Sequence, residues 1–278
     1  MHLNSPHTYG SYDLLASAPP GGGPKGLYEG SLAQALREGA RCDVVALDHQ
    51  SYGESQGVRE GVRSYFDALA DLANDLIQLI EDVRRESAGL AVFLEGVSLG
   101  GCLCTMVAAR RPELVDGMVL IAPLVTMDEV KKKPMNKVLR PLVGVLAVCA
   151  PALAAGKKSP NPHAVTAAEF QNDPLTYNGK VRARVAREVL NSEEGVVDRL
   201  RKVRCPLLVL HSVEDTLTSI DGSRMLIREA ATPAADKVLD ELQSGWHANP
   251  IIYQHDTSPV HKARIAAWLK DRAAKHSA

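Results

Sequence analysis

The sequence predicts an α/β fold in which helices cover both faces of a mostly parallel sheet. Short runs that are apolar throughout alternate with longer segments of helical periodicity along most of the 278 residues. Strands buried on both faces have this composition, and their alternation with helices is typical of a parallel sheet. One predicted strand also runs directly into a glycine-rich turn that is followed by a helix.

The predicted elements follow one another along the chain. Strands are predicted at residues 43–47, 90–94, 117–121, 206–211 and 237–242, and helices at residues 99–110, 221–230 and 259–274. A longer helix should follow the first strand, because apolar side chains recur every three or four residues from Phe66 to Val83. Its predicted N-cap is Ser64, with Asp67 three residues later as the partner of a capping box.

Two segments interrupt the alternation. Residues 1–40 contain the flexible run P-P-G-G-G-P at positions 19–24 and no convincing strand, so they form an atypical N-terminal segment. Residues 126–203 also lack a strand-like run and are predicted to be a helical cap or lid inserted into the fold. The core is therefore assigned to residues 41–125 and 204–278.

One part of the predicted cap, residues 141–156, carries no charge. With sixteen residues and two prolines it is too short and too interrupted to span a bilayer. It is equally compatible with a helix that lines an acyl-chain site and with a helix that packs on the core.

Composition and charge argue against several classes of function. The net charge is −1. Proteins that bind nucleic acids or anionic membranes normally carry an excess of basic residues, so neither is expected as the main partner. The five cysteines have no metal-ligand spacing, and no nucleotide-binding motif follows a strand, so no metal or cofactor is predicted. The first twelve residues lack the apolar segment of a signal peptide, and a cytoplasmic location is expected.

The glycine-rich turn, Gly96-Val97-Ser98-Leu99-Gly100, has the G-x-S-x-G pattern of a nucleophile elbow. The sharp turn between strand and helix exposes the serine hydroxyl, and the glycines allow the backbones to approach closely. Ser98 is therefore the candidate nucleophile. The backbone N–H of Leu99, at the helix N-terminus, is the candidate donor to an oxyanion.

A serine nucleophile needs a base and a group that orients the base. Asp215 follows the predicted strand at 206–211, and His247 follows the strand at 237–242. The carboxyl ends of parallel strands meet at one edge of the sheet, and the order Ser, Asp, His is that of an α/β-hydrolase triad. Glu214 is the competitor for the acid role. His49 and His211 are expected to be structural.

Several motifs together resemble a known family. They are A-L-D-H-Q-S-Y-G-E-S-Q-G at 46–57, the elbow with Gly101, N-D-P-L-T-Y at 172–177, P-L-L-V-L-H at 206–211 with Asp215, D-G-S-R at 221–224, and G-W-H at 245–247. In this order and spacing they are similar to the monoacylglycerol lipase and lysophospholipase branch of the α/β-hydrolase fold. This serine aminopeptidase S33-like branch includes plant and algal caffeoylshikimate esterases.

The resemblance implies a serine hydrolase that cleaves carboxylic esters of amphiphilic lipids through an acyl-enzyme, without a cofactor. Its triad would be Ser98, Asp215 and His247, and its substrate a monoacylglycerol or a lysophospholipid. An esterase of phenolic esters, or an impaired relative that acts as a binding protein, is the alternative. The cap implies transient contact with a membrane surface, and no obligate protein partner is expected.

The chain departs from the family at its start. The family has a His-Gly dipeptide before the second oxyanion donor, and this sequence has none. Counting back from Asp48, the position expected for this dipeptide falls near residues 21–23, so Gly22 and Gly23 are the candidate oxyanion donors. The segment H-T-Y-G at 7–10 is a weaker candidate. The N-terminal strands therefore look missing, and the start looks atypical or truncated. We expect residues 1–25 to pack irregularly, the strand at 43–47 to have an uncovered side, and hydrolysis to be slow.

Overall fold

The computed structural model describes residues 13–17, 32–53, 55–127, 134–156, 162, 164–172, 177–252 and 257–276. The strands are β1 Asp13–Ser17, β2 Asp43–Ala46, β3 Val92–Val97, β4 Gly117–Ile121, β5 Ala154–Gly156, β6 Val181–Arg182, β7 Leu207–Ser212 and β8 Lys237–Leu242. The helices are α1 Leu32–Ala40, α2 Leu69–Glu86, α3 Leu99–Arg110, α4 Pro134–Cys149, α5 Ala164–Asn172, α6 Ala183–Leu190, α7 Ser192–Val196, α8 Ile220–Glu229, α9 Asn249–Ile252 and α10 Ser258–His276. Short 3₁₀ helices lie at Pro112–Leu114, Val197–Lys202 and Ala234–Asp236.

A six-stranded sheet of order β2-β1-β3-β4-β7-β8 forms the centre of the fold. Strands β3, β4, β7 and β8 are parallel, and β1 runs antiparallel to both of its neighbours. Apolar clusters fill both faces, with α2 and α3 on one side and α1 and α10 on the other. The predicted α/β class is confirmed, and the five predicted strands are present within two or three residues.

The register aligns the carboxyl ends of the parallel strands. Val97 of β3 pairs with Ile121 of β4, which in turn pairs with Leu210 of β7. Ser212, the last residue of β7, pairs with Leu242, the last residue of β8. The loops after these strands therefore leave the sheet at one edge.

The N-terminal segment differs from its prediction. Strand β1 lies between β2 and β3, and Leu15 pairs with Val45 on one side and Leu94 on the other. The expectation of no strand and of irregular packing is therefore wrong for residues 13–17. Pairing with partners distant in sequence stabilises this short strand, and local periodicity cannot reveal such pairing. Strand β2 lies at the edge of the described sheet.

The start of α2 also differs from its prediction. Ser64 lies at φ +54° and donates a hydrogen bond from Oγ to the Tyr52 hydroxyl, so it does not cap the helix. The helix begins at Leu69, whose N–H donates to the Glu188 carboxylate at 3.4 Å. A side chain of α6 thus supplies the acceptor that a local cap would provide.

The predicted cap contains more than helices. Strands β5 and β6 pair in a small antiparallel sheet, contrary to the expectation that residues 126–203 lack strands. Val185, Val196 and Leu200 pack in the same apolar cluster as α2 and α3, so the later part of this segment contributes to the core. Among the described residues, no helix combines the length and apolar character needed to cross a membrane.

Candidate active site

The Ser98 elbow joins β3 to α3. Ser98 has φ 55° and ψ −113°, a conformation that an L-residue adopts only under local constraint. A Cβ on Gly96 would lie 2.6 Å from the carbonyl carbon and oxygen of Gly100, so this position requires glycine. The side chain of Ser98 is half-buried at the carboxyl end of the sheet.

The end of β4 and the loop that follows it hydrogen-bond to the backbone of the elbow. The N–H of Ser98 donates to the carbonyl of Ile121 at 2.9 Å, and the Ser98 carbonyl accepts from the N–H of Leu124 at 2.8 Å. A Cβ on Gly101 would lie 2.6 Å from Cβ of Pro123, so this glycine lets α3 pack directly on the loop. These contacts fix the strained turn.

Asp215 lies in the loop after β7, and its side chain is fully buried. Its Oδ1 accepts hydrogen bonds from the N–H groups of Leu217 at 2.7 Å and Thr218 at 3.1 Å. Burial by itself raises the pKa of the Asp215 carboxyl, but hydrogen bonds from His211 and His247 outweigh it and hold the pKa well below the usual range. The group is therefore a carboxylate at neutral pH.

His247 lies in the loop after β8, with 11% of its side chain exposed. Its Nδ1 is 2.7 Å from Oδ2 of Asp215. Because the carboxylate is ionised, Nδ1 carries the proton of the neutral ring and Nε2 is the basic nitrogen. Gly245 has φ +103°, and a Cβ there would lie 2.6 Å from Cγ of Pro250, so the turn before His247 needs glycine.

Glu214 makes a different contact. Its Oε2 accepts a hydrogen bond from the N–H of Gly245 at 3.0 Å. Glu214 thus binds the backbone of the loop that carries His247, whereas Asp215 binds the imidazole itself. The geometry favours Asp215 for the acid role.

Thr218 links the acid loop to the elbow, a role that the motifs did not reveal. Its Oγ1 lies 2.8 Å from Oδ2 of Asp215 and 3.1 Å from the carbonyl oxygen of Ala122. Ala122 directly follows Ile121, the residue that accepts from the Ser98 N–H. The Asp-x-x-Thr spacing, in which the aspartate accepts from backbone N–H groups two and three residues on, was the available signal.

Of the candidate oxyanion donors, Leu99 lies within the residues that the structure describes. Leu99 is the first residue of α3, and its N–H belongs to the first turn of that helix. Gly22 and Gly23 lie outside the described residues, as do residues 7–10 and residues 173–176 of the N-D-P-L-T-Y motif. Within the described ranges, no group of His, Cys, Asp or Glu side chains could hold a metal ion.

A cleft lies beside the Asp215 loop. Thr126 and Met127, the first residues of the predicted cap, line it together with Val213, Thr216 and the neighbouring residues of the loop. The cleft thus borders the loop that carries Asp215 and Thr218.

Comparison with known proteins gives a family and a fold. The family described as serine aminopeptidase, S33 matches residues 25–250. Human monoglyceride lipase is 29% identical over 253 residues, which span 90% of this chain and 79% of that protein.

Solved structures agree with the architecture. Monoacylglycerol lipase from Paleococcus ferrophilus has a TM-score of 0.72 at 21% identity, with 87% of this chain and 88% of that chain covered. Mouse alpha/beta hydrolase domain-containing protein 10 has a TM-score of 0.62 at 16% identity, with 98% of each chain covered. At these identities the likeness shows the fold, which is the one expected from the motifs.

Proposed function

This chain belongs to the serine aminopeptidase S33 family of α/β-hydrolases, and from that premise we propose that it cleaves the carboxylic ester of a monoacylglycerol or a lysophospholipid. The resemblance read from the motifs is confirmed, and the chain is a carboxylic ester hydrolase. The proposal rests chiefly on the 2.7 Å contact between Nδ1 of His247 and Oδ2 of Asp215, at the sheet edge that also carries the Ser98 elbow.

In the proposed reaction, Oγ of Ser98 attacks the ester carbonyl while Nε2 of His247 takes its proton. The N–H of Leu99 donates to the resulting oxyanion. When the tetrahedral intermediate collapses, the imidazolium gives its proton to the leaving alcohol and an acyl-enzyme remains. Water activated by His247 then releases the fatty acid. Asp215 keeps the proton on Nδ1 and stabilises the imidazolium throughout.

The low pKa of Asp215 supports this assignment of roles. Two backbone N–H groups hold Oδ1, so the carboxylate keeps one orientation while Oδ2 faces His247. An ionised, fixed acid stabilises the transient positive charge on the imidazole without having to reorganise.

The lipid class of the substrate is supported by the human relative, which is named a monoglyceride lipase, and by the exposed surface of α4. Leu142, Val145 and Val148, which we call the α4 strip, are 53%, 59% and 68% exposed. They are spaced three residues apart, so they lie along one side of the helix. Ala147 is buried, which means that the helix packs through another face. We propose that the strip contacts the acyl chain or the lipid surface that presents it.

The test of the proposed function is active-site titration with a fluorophosphonate probe. We expect one probe per chain, bound to the peptide that contains Ser98. A parallel panel should show faster hydrolysis of a long-chain monoacylglycerol or a lysophosphatidylcholine than of a caffeoyl ester. Preference for the caffeoyl ester would contradict the lipid assignment. Absence of both labelling and hydrolysis would contradict the enzymatic proposal and favour a binding protein.

The α4 strip has its own test. Val145→Asp and Val148→Asp should each lower the hydrolysis of a long-chain monoacylglycerol in vesicles by about 10- to 100-fold, because burial of a valine side chain contributes about 1.5–3 kcal/mol. Hydrolysis of a soluble acetate ester should not change. Rates on the two substrates, with vesicle sedimentation, provide the measurement.

A matched control is Val260→Asp, since Val260 lies in α10 and is 68% exposed like Val148. This variant should behave as the wild type on both substrates. Equal losses on the vesicle and the soluble substrate in the α4 variants would mean that the strip supports the fold and does not contact lipid.

A further inference from the structure

His211 makes contacts that a merely space-filling histidine would not need. It lies near the end of β7, and its side chain is completely buried. Its Nδ1 is 2.7 Å from Oγ of Ser223, which is itself fully buried in α8. Its Nε2 is 3.3 Å from Oδ2 of Asp215, the oxygen that also faces His247, and 3.4 Å from the carbonyl oxygen of Thr218.

The acceptors that face Nε2 select the tautomer of His211. The carboxylate of Asp215 is an acceptor only, so the ring nitrogen that faces it must carry a proton. In a neutral ring Nδ1 is then an acceptor, and the Ser223 hydroxyl can donate to it. The opposite tautomer would direct the Nε2 lone pair at the carboxylate. Asp215 thus sets the tautomer, and the Ser223 hydroxyl, which can donate or accept, satisfies Nδ1 and holds the ring in place.

Oδ2 of Asp215 is the shared acceptor of this arrangement. His247 Nδ1 and Thr218 Oγ1 approach it at 2.7 and 2.8 Å, and His211 Nε2 approaches from the β7 side. The Thr218 hydroxyl is also close to the carbonyl of Ala122, so its single proton is divided between two acceptors. The His211 N–H can hold Oδ2 when the Thr218 proton turns to Ala122.

We propose that Ser223 and His211 are positioning residues for Asp215. Ser223 holds the ring of His211 through Nδ1, and the Nε2–H of His211 holds the Asp215 oxygen that receives the hydrogen bond from His247. This inference rests on the proposed function, because it concerns the same triad. It assigns a role in turnover to a histidine that sequence reasoning treated as structural.

The role has consequences that separate it from simple packing. His211→Leu introduces an apolar side chain of similar volume and removes the donor, so Oδ2 of Asp215 loses its contact with Nε2. We expect kcat to fall about 10- to 100-fold, the effect of one hydrogen bond to a buried charge, with KM unchanged. His211→Gln places an amide N–H near the position of Nε2 and should recover most of the activity.

The experiment measures kcat and KM on a soluble ester for the full chain and for His211→Leu, His211→Gln and Ser223→Ala. A second readout is the low-field proton resonance of His247 Nδ1–H in protein labelled with ¹⁵N-histidine. We expect this resonance to shift or broaden in His211→Leu and to stay near its wild-type position in His211→Gln. Ser223→Ala should lower kcat severalfold, because the ring of His211 then loses the contact that holds it at Nδ1.

The outcomes distinguish the inference from the proposed function. Wild-type kcat in a folded His211→Leu variant, or equal losses in the leucine and glutamine variants, would overturn the inference. Should His211→Leu fail to fold, an unchanged kcat in Ser223→Ala would overturn it. A wild-type chain that hydrolyses no ester would contradict the proposed function, while an unmoved His247 resonance would still overturn the coupling of His211 to the triad.

Discussion

Replacing Ser98 with alanine should lower kcat for ester hydrolysis by about 10⁶, because removal of the nucleophile from a serine triad has this effect. Binding and the oxyanion donors then supply the residual rate. KM should change little, since the hydroxyl contributes to the transition state more than to substrate binding. The fold should survive, because Gly96 and the contacts to Ile121 and Leu124 that support the elbow involve backbone atoms.

Steady-state kinetics and fluorophosphonate labelling measure this prediction. Ser64→Ala is the matched control, because Ser64 is also a serine at positive φ, 54° against 55° for Ser98, but lies before α2. It should keep the wild-type kcat and the full labelling stoichiometry. Equal labelling of Ser98→Ala and the wild type would show that another residue reacts with the probe.

The elbow was predictable because all of its determinants are local. A buried strand, three fixed positions of the G-x-S-x-G pattern and an apolar helix follow one another without interruption, and the structure reproduces them at β3, Ser98 and α3. The loops of Asp215 and His247 were predictable for a related reason. Each follows a predicted parallel strand, and parallel strands place their carboxyl ends at one edge.

The supporting residues were not predictable from local patterns. Thr218 contacts the carbonyl of Ala122, and Ser223 contacts the ring of His211. Both contacts join residues that only the packed fold brings close together. A buried histidine at a strand end reads as core in the sequence. Its contact with Ser223 becomes visible only when α8 is packed against β7.

The N-terminal strand shows the same limit more clearly. Residues 13–17 are only five residues long and are followed by a proline- and glycine-rich run, so they give little local signal for a strand. The pairing of β1 with both β2 and β3 depends on segments far along the chain. Leu32, Leu36 and Ala40 of α1 follow helical spacing and are buried. This helix was nevertheless missed, because nine residues are too few to show the periodicity clearly.

Replacing His247 with alanine should have an effect close to that of Ser98→Ala, a loss of about 10⁶ in kcat, because an unassisted serine hydroxyl is a weak nucleophile. The mutation removes the base and leaves Asp215 as a buried carboxylate without the contact at 2.7 Å. The cavity opens to solvent, since His247 is partly exposed. Added imidazole should therefore enter the space and restore part of the activity.

The matched control for this prediction is His276→Ala. His276 lies at the end of α10 and contacts Asp116, which precedes β4 at the opposite edge of the sheet. Its replacement should leave kcat unchanged, so a general effect of losing a histidine is excluded. Circular dichroism of both variants establishes that they are folded. Retained activity in folded His247→Ala would mean that another group takes the Ser98 proton. Asp215 would then orient a histidine that does not act in the reaction, and the 2.7 Å pair would be structural.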